Sequence, residues 1–231
     1  MDLNSESPHS DNLNQTIYPQ ALGSGDIPLF SILTAALGEK DYNTQLHAQR
    51  VAGYARRLAQ RLGFGPKDVQ EIEMGGMLHD MGKLALSDQV LRHRKTELTT
   101  EMWGEVYSHP LIGAAMIEST YGQGTIYDAV LYHHERLDGS GYPFGLKGDQ
   151  IPISAQIVSV ADCFDAITTD RPYQKRKSHS QAFHILKTMS DSFLNNDLVA
   201  LLIEDIRQLG MISIFSGHDS GNIAHRLHSQ T

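Results

Sequence analysis

The stretch Met77–Lys83 places the strongest constraint on how this chain folds. An apolar pair leads directly into His79-Asp80, and a glycine and Lys83 follow within three residues. An imidazole beside a carboxylate suits a divalent cation that accepts nitrogen and oxygen donors. A single His-Asp pair is a weak signal for a metal site, because the dipeptide occurs by chance in many chains, and its significance here depends on further donors elsewhere in the chain. The glycine allows the backbone to turn sharply at this point, and Lys83 would lie close to an anionic ligand of the metal.

Further candidate donors occur before and after this stretch. They are His47, His109, His133, His134 and Asp162. His47 falls on the apolar face of a predicted helix over residues 41–62, where a core histidine with a hydrogen-bond partner is the alternative interpretation. His133 and His134 end an apolar helical stripe over residues 125–135, and two adjacent buried histidines without a metal would each need a polar partner.

Two carboxylates, Asp162 and Asp165, are three residues apart on a predicted helix over residues 153–169. A carboxylate against an apolar face needs a metal, a cation or a backbone amide. The basic run that follows, residues 171–177, fits either a solvated surface or a contact to an anionic ligand.

The periodicity of the apolar residues predicts an all-α protein. Predicted helices cover residues 28–37, 41–62, 66–80, 111–119, 125–135, 153–169, 178–189 and 195–209, and the sequence shows no convincing strand. His109 precedes a proline, which disfavours the helical conformation, so we expect it at a joint between two helices. Residues 138–152 contain four glycines and two prolines, which predicts a loop. Within it, Tyr142 and Phe144 either pack the loop down or stack on a base.

Composition narrows the functional classes. The chain has 231 residues and a net charge of −8, which argues against binding along a nucleic-acid polymer. Its single cysteine, Cys163, excludes an internal disulfide and favours a reducing cytoplasm. No apolar run is long enough to span a membrane, and the polar N-terminus does not have the pattern of a signal peptide.

Taken together, the motifs resemble the HD-GYP domain family, a branch of the HD superfamily of metal-dependent phosphohydrolases. The motifs are His-Asp-Met-Gly-Lys (79–83), His-Pro (109–110), His-His-Glu (133–135), Asp-Gly-Ser-Gly-Tyr-Pro (138–143), Ile-Pro (151–152), Ala-Asp-Cys-Phe-Asp-Ala (161–166) and Arg-Pro-Tyr (171–173). The resemblance implies an all-α HD-superfamily helical bundle with a glycine-rich GYP loop. It also implies hydrolysis of the bacterial second messenger cyclic di-GMP to linear pGpG, to GMP or to both.

The resemblance implies a binuclear metal centre. His47, His79, Asp80 and Asp162 would hold one ion, and Asp80 would bridge to a second ion held by His109, His133 and His134. Two cations in this arrangement lower the pKa of a bridging water, whose hydroxide attacks the phosphorus, and they stabilise the attacking and leaving oxygens. The family implies iron or manganese, although nickel, magnesium and zinc accept the same donors.

Roles for the surrounding residues follow from the same resemblance. Lys83 would neutralise a phosphate oxygen or protonate the leaving 3′ oxygen, and Asp165 would orient a ligand or pair with a cation. Arg171 would clamp phosphate or guanine with its planar fork. Tyr142 and its loop would shape the substrate pocket, and Lys175 would add a substrate contact.

Three positions depart from the family pattern. Asn43 stands where some members have a glutamate that holds a third metal, which favours two metals here. Leu137 replaces a usual tryptophan beneath the loop, and Gln174 replaces an often basic substrate contact. Leu137 and Gln174 leave the preference between cyclic di-GMP and cyclic GMP-AMP open. A catalytically silent cyclic-dinucleotide-binding module is the third interpretation, against which the complete set of seven metal donors argues.

The expected organisation has three parts. Residues 1–27 form a flexible N-terminal tail, residues 28–209 the phosphodiesterase domain and residues 210–231 a loose C-terminal tail. No sequence for a recognised regulatory domain precedes the module, so we expect either a stand-alone enzyme or a fragment of a larger regulator. The expected partner is the cyclic dinucleotide substrate; a homodimer or a regulatory protein partner is left open.

Overall fold

The fold consists of helices in the part of the chain that the structure describes. The structure is a computed structural model, and it describes residues 35–36, 38–39, 42–91, 98–170, 175–190 and 192–218. The helices are α1 (Tyr42–Arg61), α2 (Pro66–Leu78), α3 (Asp88–Leu91), α4 (Thr100–Tyr121), α5 (Thr125–Tyr132), α6 (Ile153–Thr168), α7 (His179–Ser190) and α8 (Asn196–His218). Short 3₁₀ turns lie at Met81–Ala85 and Gly148–Gln150. Among these residues the one β-type pairing is an isolated bridge between Asp138 and Lys147. The predicted all-α class is confirmed.

Local sequence signals set several helix ends. Thr99 caps α4, since its hydroxyl oxygen accepts a hydrogen bond from the backbone N–H of Met102 at 3.3 Å. Pro66 occupies the first position of α2, where its missing N–H costs nothing. Gly63 follows α1 with a φ of 79°, the left-handed conformation that ends many helices.

Two large apolar clusters hold together the helices that carry the predicted metal ligands. The larger one joins α1, α6, α7 and α8 and includes Leu58, Phe164, Leu186 and Leu202, all essentially inaccessible to solvent. The second joins α1, α2, α4 and α5 around Leu78, Ile117 and Val130. Burial of this apolar surface fixes the relative positions of the helices that carry the histidines.

The prediction of a joint between helices at His109 is wrong. Pro110 lies inside α4, which continues from Thr100 to Tyr121. A proline in a helix leaves the carbonyl four residues earlier, here that of Val106, without its usual donor. The Nδ1 of His109 lies 2.6 Å from that carbonyl oxygen, so the imidazole supplies the missing hydrogen bond and the helix can continue.

Gly82 has a different role from the predicted one. It does not have a positive φ, so the turn does not require glycine for its backbone conformation. A Cβ at Gly82 would overlap the carbonyl oxygen of His109 and would lie 2.7 Å from the backbone nitrogen of Gly113. The absence of a side chain therefore lets the turn after Asp80 lie directly against α4, which brings Asp80 to His109.

The predicted C-terminal boundary also differs. The closing helix was expected to end at Leu209, before a loose tail from residue 210, but α8 continues to His218. Gly210 lies inside this helix, where a glycine costs only about 1 kcal/mol relative to alanine. The predicted tail over residues 1–27, residues 28–34 of the first predicted helix, and residues 219–231 lie outside the described residues. No helix in the described part is both long and apolar enough to span a membrane.

Candidate metal centre

Asp80 lies between two groups of histidines. It lies two residues after the end of α2, and its side chain is buried. Its Oδ2 atom lies 3.4 Å from Nε2 of His79 and 3.9 Å from Nε2 of His47. Its Oδ1 atom lies 3.4 Å from Nε2 of His109, on α4. One carboxylate therefore presents one oxygen to each group.

Two overlapping sets of donors meet at this carboxylate. The first set is His47, His79 and Asp80, and the second is Asp80, His109, His133 and His134; within each set the ligand atoms lie within 4.8 Å of one another. Asp162 on α6 joins the first set, with its Oδ1 atom 3.1 Å from Nε2 of His47. The structure thus brings all seven predicted ligands into one cluster, although they come from five separate segments of the chain.

Three of the imidazoles are oriented in the same way. The Nδ1 atoms of His79, His109 and His133 lie 2.7, 2.6 and 2.8 Å from the backbone carbonyl oxygens of Gly76, Val106 and Val130, respectively. A carbonyl oxygen can only accept, so each Nδ1 carries a hydrogen. In a neutral ring the lone pair is then on Nε2, the atom that faces the cluster. This is the usual way in which a protein orients a histidine that binds a metal.

Several of the inward atoms lack a hydrogen-bond donor among the described residues. Nε2 of His109 and Nε2 of His133 lie 3.4 Å apart. Nε2 of His79 and Oδ1 of Asp80 are buried and have no hydrogen-bond partner in the described part of the chain. Buried acceptors are costly when unpaired, and several that converge on one space fit a bound cation. The donor set therefore fits a metal.

The protonation states support the same conclusion. Burial lowers the pKa of His133 and of His134 well below that of an exposed histidine, which favours the neutral form that binds metals. Burial alone would raise the pKa of Asp80, but the charge of Lys83 and the neighbouring histidines lower it well below its usual range. Asp80 is thus ionised, and His133 and His134 are neutral, which are the forms in which these groups bind a metal.

His47 is held from behind by Asp165. The Nδ1 atom of His47 lies 2.7 Å from Oδ2 of Asp165, a buried residue on α6. Arg50, one turn after His47 on α1, donates two hydrogen bonds to the same carboxylate, from Nε at 2.6 Å and from Nη2 at 3.0 Å. Asp165 therefore lies outside the two donor sets. It contacts His47, which is a candidate metal ligand. Sequence reasoning missed Arg50.

Two of the four predicted substrate contacts, Lys83 and Tyr142, lie beside the candidate metal ligands. Lys83 lies on the turn Met81–Ala85, and its Nζ atom is 2.6 Å from Oδ2 of Asp80. The ring of Tyr142 stacks on His134, with 4.6 Å between centroids and 25° between planes. Lys175 is exposed. Arg171 lies outside the described residues.

Glu135 holds the glycine-rich loop in place, and this role of Glu135 was not predicted from the sequence. It is buried, and its two carboxylate oxygens accept hydrogen bonds from the backbone N–H groups of Phe144 and Leu146, at 2.7 and 2.9 Å. The backbone N–H of Tyr142 donates to the carbonyl oxygen of His134 at 3.2 Å. The sequence did contain a signal for this role. An acidic residue directly follows two inward histidines, and it precedes a loop whose backbone N–H groups have no partners within a helix.

The chain is similar to a domain family and to several curated proteins. The profile of the HD domain family matches residues 31–198. The cyclic di-GMP phosphodiesterase response regulator RpfG of Xanthomonas campestris is 36% identical over 184 residues, which cover 79% of this chain and 48% of that protein. The 3′3′-cGAMP-specific phosphodiesterase 1 of Vibrio cholerae is 30% identical over 206 residues, which cover 88% of this chain and 48% of that protein. This chain therefore spans about half the length of these curated relatives.

A solved structure has the same fold. The cyclic GMP-AMP-specific phosphodiesterase V-cGAP3 of Vibrio cholerae superposes with a TM-score of 0.62 at 15% identity, over 80% of this chain and 49% of that one. The HD profile covers well over half of the chain. The chain carries both the His-Asp pair and the Gly-Tyr-Pro loop in family order, and it therefore belongs to the HD domain family, in its HD-GYP branch.

Proposed function

We propose that this chain is a metal-dependent phosphodiesterase that hydrolyses a cyclic dinucleotide, with cyclic di-GMP as the first candidate substrate. The observation that carries the proposal is the position of Asp80, whose two oxygens face two separate sets of imidazoles. A binding module has no need for two adjoining cation sites around one carboxylate. The curated relatives, named as cyclic di-GMP and cGAMP phosphodiesterases, support the substrate class.

The proposed centre holds two divalent cations. His47, His79, Asp80 and Asp162 would hold one, and Asp80, His109, His133 and His134 the other. When bound, such a pair supplies positive charge to phosphate oxygens and makes a water molecule more acidic. Iron or manganese is the proposed metal, and the mixture of imidazole and carboxylate donors also suits nickel, zinc or magnesium.

The protein's own groups would position the reaction. Lys83 stays beside Asp80 and offers an ammonium group to a phosphate oxygen or to the leaving 3′ oxygen of the dinucleotide. Its side chain is 30% exposed and can therefore contact a ligand from solvent. Asp165 and Arg50 fix the ring of His47, so the donor atom does not have to be reoriented. Tyr142 forms one wall beside His134.

Cyclic GMP-AMP is the second candidate substrate, because relatives at a similar level of identity are named for each of the two dinucleotides.

Arg171 and Lys175 remain predicted substrate contacts. A cytoplasmic location is proposed from the single cysteine. The phosphodiesterase domain is proposed to begin at residue 28 and to extend past residue 209 to the end of α8.

The decisive experiment is product analysis with the metal-loaded protein. Purified protein is incubated with cyclic di-GMP and with cyclic GMP-AMP in parallel, and linear dinucleotides and mononucleotides are quantified over time. We expect turnover of at least one substrate, and loss of turnover after metal removal with recovery when metal is returned. Saturable binding of both dinucleotides without any product from metal-loaded protein would identify a silent binding module instead.

A further inference from the structure

Two large aromatic side chains lie exposed on α4, next to the metal centre. Trp103 is 43% and Tyr107 is 46% exposed. They are one helical turn apart, and their rings are nearly parallel, with 5.4 Å between centroids and 28° between planes. Exposed rings that pack on each other offer a broad apolar surface to a flat ligand. We refer to these two residues as the Trp103–Tyr107 platform.

The platform is continuous with the metal centre. Tyr107 also contacts the ring of Tyr142 at 4.6 Å between centroids, and Tyr142 stacks on His134 at the same distance. His134 belongs to the second donor set. A row of four rings therefore leads from a candidate metal ligand to the surface.

Gly104 leaves room beside the platform. It lies in the exposed part of α4, and a Cβ built there would meet no atom within 4 Å. Close packing therefore does not explain a glycine at this position, although glycine inside a helix costs about 1 kcal/mol relative to alanine. Its effect on the surface is to leave space free of side-chain atoms next to Trp103 and Tyr107.

We propose that the Trp103–Tyr107 platform is a stacking site for a purine base of the substrate whose phosphate lies at the metal centre. This inference rests on the proposed function. Aromatic side chains recognise unpaired bases by stacking, which tolerates any base because each presents a flat π face. A nucleotide brings a base and a phosphate together, which matches a surface where rings lead directly to a cation site. A protein partner bound on the platform would also block the access of a ligand to His134, so the surface favours a small ligand.

The first test uses the fluorescence of Trp103, which is the single tryptophan of the chain. Metal-loaded protein is titrated with GMP and, in parallel, with ribose 5-phosphate, which carries the same phosphate without the base. We expect GMP to quench the emission in a saturable way and ribose 5-phosphate to leave it unchanged. Equal responses to both compounds, or no response to GMP, would overturn the stacking site.

The second test compares two substrates in variants. The double variant Trp103→Ala/Tyr107→Ala removes the platform, and Gly104→Leu fills the area beside it. For both we expect kcat/KM for cyclic di-GMP, or for cyclic GMP-AMP if only that is turned over, to fall about tenfold relative to that for bis(4-nitrophenyl) phosphate, a phosphodiester without a purine. Phe193→Ala, which removes a ring that is 39% exposed between α7 and α8, is the matched control and should leave this ratio unchanged.

The outcomes separate the inference from the proposed function. Wild-type protein that cleaves bis(4-nitrophenyl) phosphate but neither cyclic dinucleotide would contradict the proposed function. The GMP titration would then still decide whether the Trp103–Tyr107 platform stacks on a purine base. Wild-type protein that cleaves a cyclic dinucleotide, with an unchanged ratio in the double variant, would overturn the platform alone. An unchanged ratio with loss of a dimer in the double variant would assign this surface to a second copy of the chain and would likewise overturn the stacking site.

Discussion

Asp165 lies behind His47, with its Oδ2 atom 2.7 Å from the Nδ1 atom of the imidazole. The same carboxylate accepts two hydrogen bonds from Arg50. The histidine can therefore rotate little without breaking a charge-assisted contact. This arrangement assigns to Asp165 the orientation of a metal ligand, because its oxygens are engaged by His47 and Arg50.

Asp165→Asn tests this assignment. The amide keeps the shape of the side chain but removes the negative charge that holds His47 and Arg50. Loss of such a partner commonly weakens metal binding by about 10- to 100-fold. We expect a decrease of this size, measured by competition with a chromophoric chelator, and a smaller effect on the turnover of fully metal-loaded protein.

The chain contains a matched control for this variant. Arg57, also on α1, makes the same two-pronged contact with Asp205 on α8, from Nε at 2.6 Å and from Nη2 at 3.0 Å. Asp205→Asn removes an equivalent ion pair that touches none of the candidate ligands. It should lower thermal stability and leave metal affinity unchanged. Equal losses of metal affinity in both variants would show that Asp165 acts only through general stability.

Asp80→Ala should abolish turnover and reduce the bound metal. Asp80 is the donor that the two sets share, so its removal leaves each set one oxygen short. Elemental analysis and product formation are measured on the same preparation. Asp149→Ala, which alters an exposed acid in the loop, is the control and should retain both properties. Near-normal hydrolysis with full metal content in Asp80→Ala would refute the two-metal assignment.

Most of the metal donors could be predicted because they lie on an apolar helical stripe, beside one or directly after one. His47, His133 and Asp162 illustrate this, since the periodicity of the apolar residues indicates which face of a helix packs against the core. His109, which was expected at a joint between helices, is the exception. The family resemblance then supplied the grouping of the seven donors. The order of the motifs was sufficient for this part of the site.

The missed features depend on contacts between distant parts of the chain. Arg50 has the appearance of an ordinary solvated helix residue until α6 brings Asp165 to it. Pro110 was expected to interrupt α4, because a proline disfavours the helical conformation of the residue before it. This local rule takes no account of the hydrogen bond from His109 to the carbonyl oxygen of Val106. The exposure of Trp103 follows from which face of α4 remains uncovered, and tertiary packing determines that.

The number of metals can be tested at Asn43. This residue lies on α1 one turn before His47, at the position of the glutamate that holds a third metal in some family members. An amide oxygen is neutral and binds divalent cations more weakly than a carboxylate. We expect two metals per chain by elemental analysis after anaerobic purification, and a higher content in Asn43→Glu. Three fully occupied sites in the wild-type protein would mean that another residue supplies the third anion.

The pH dependence of the metal-free protein depends on His47. Burial disfavours its charged form, but hydrogen bonds to Asp162 and Asp165 outweigh this and raise the pKa of His47 to about 9. The ordinary pKa of a histidine in the unfolded chain is about 6.5. Because the folded-state pKa is the higher one, the charged ring stabilises the fold fully below pH ~6.5, and this stabilisation is lost as the pH rises through about 9.

The other buried groups of the cluster should not hide this effect. The pKa values of Asp80 and Asp162 are lowered well below the usual range, so their contribution to stability changes only in acid. Burial lowers the pKa of His133 and of His134, so their contribution changes below pH ~6.5. We therefore expect chelator-treated protein to unfold at progressively lower denaturant concentration between pH 6.5 and 9, and His47→Gln to flatten this dependence. An equally steep decline in His47→Gln would assign the titration to another group.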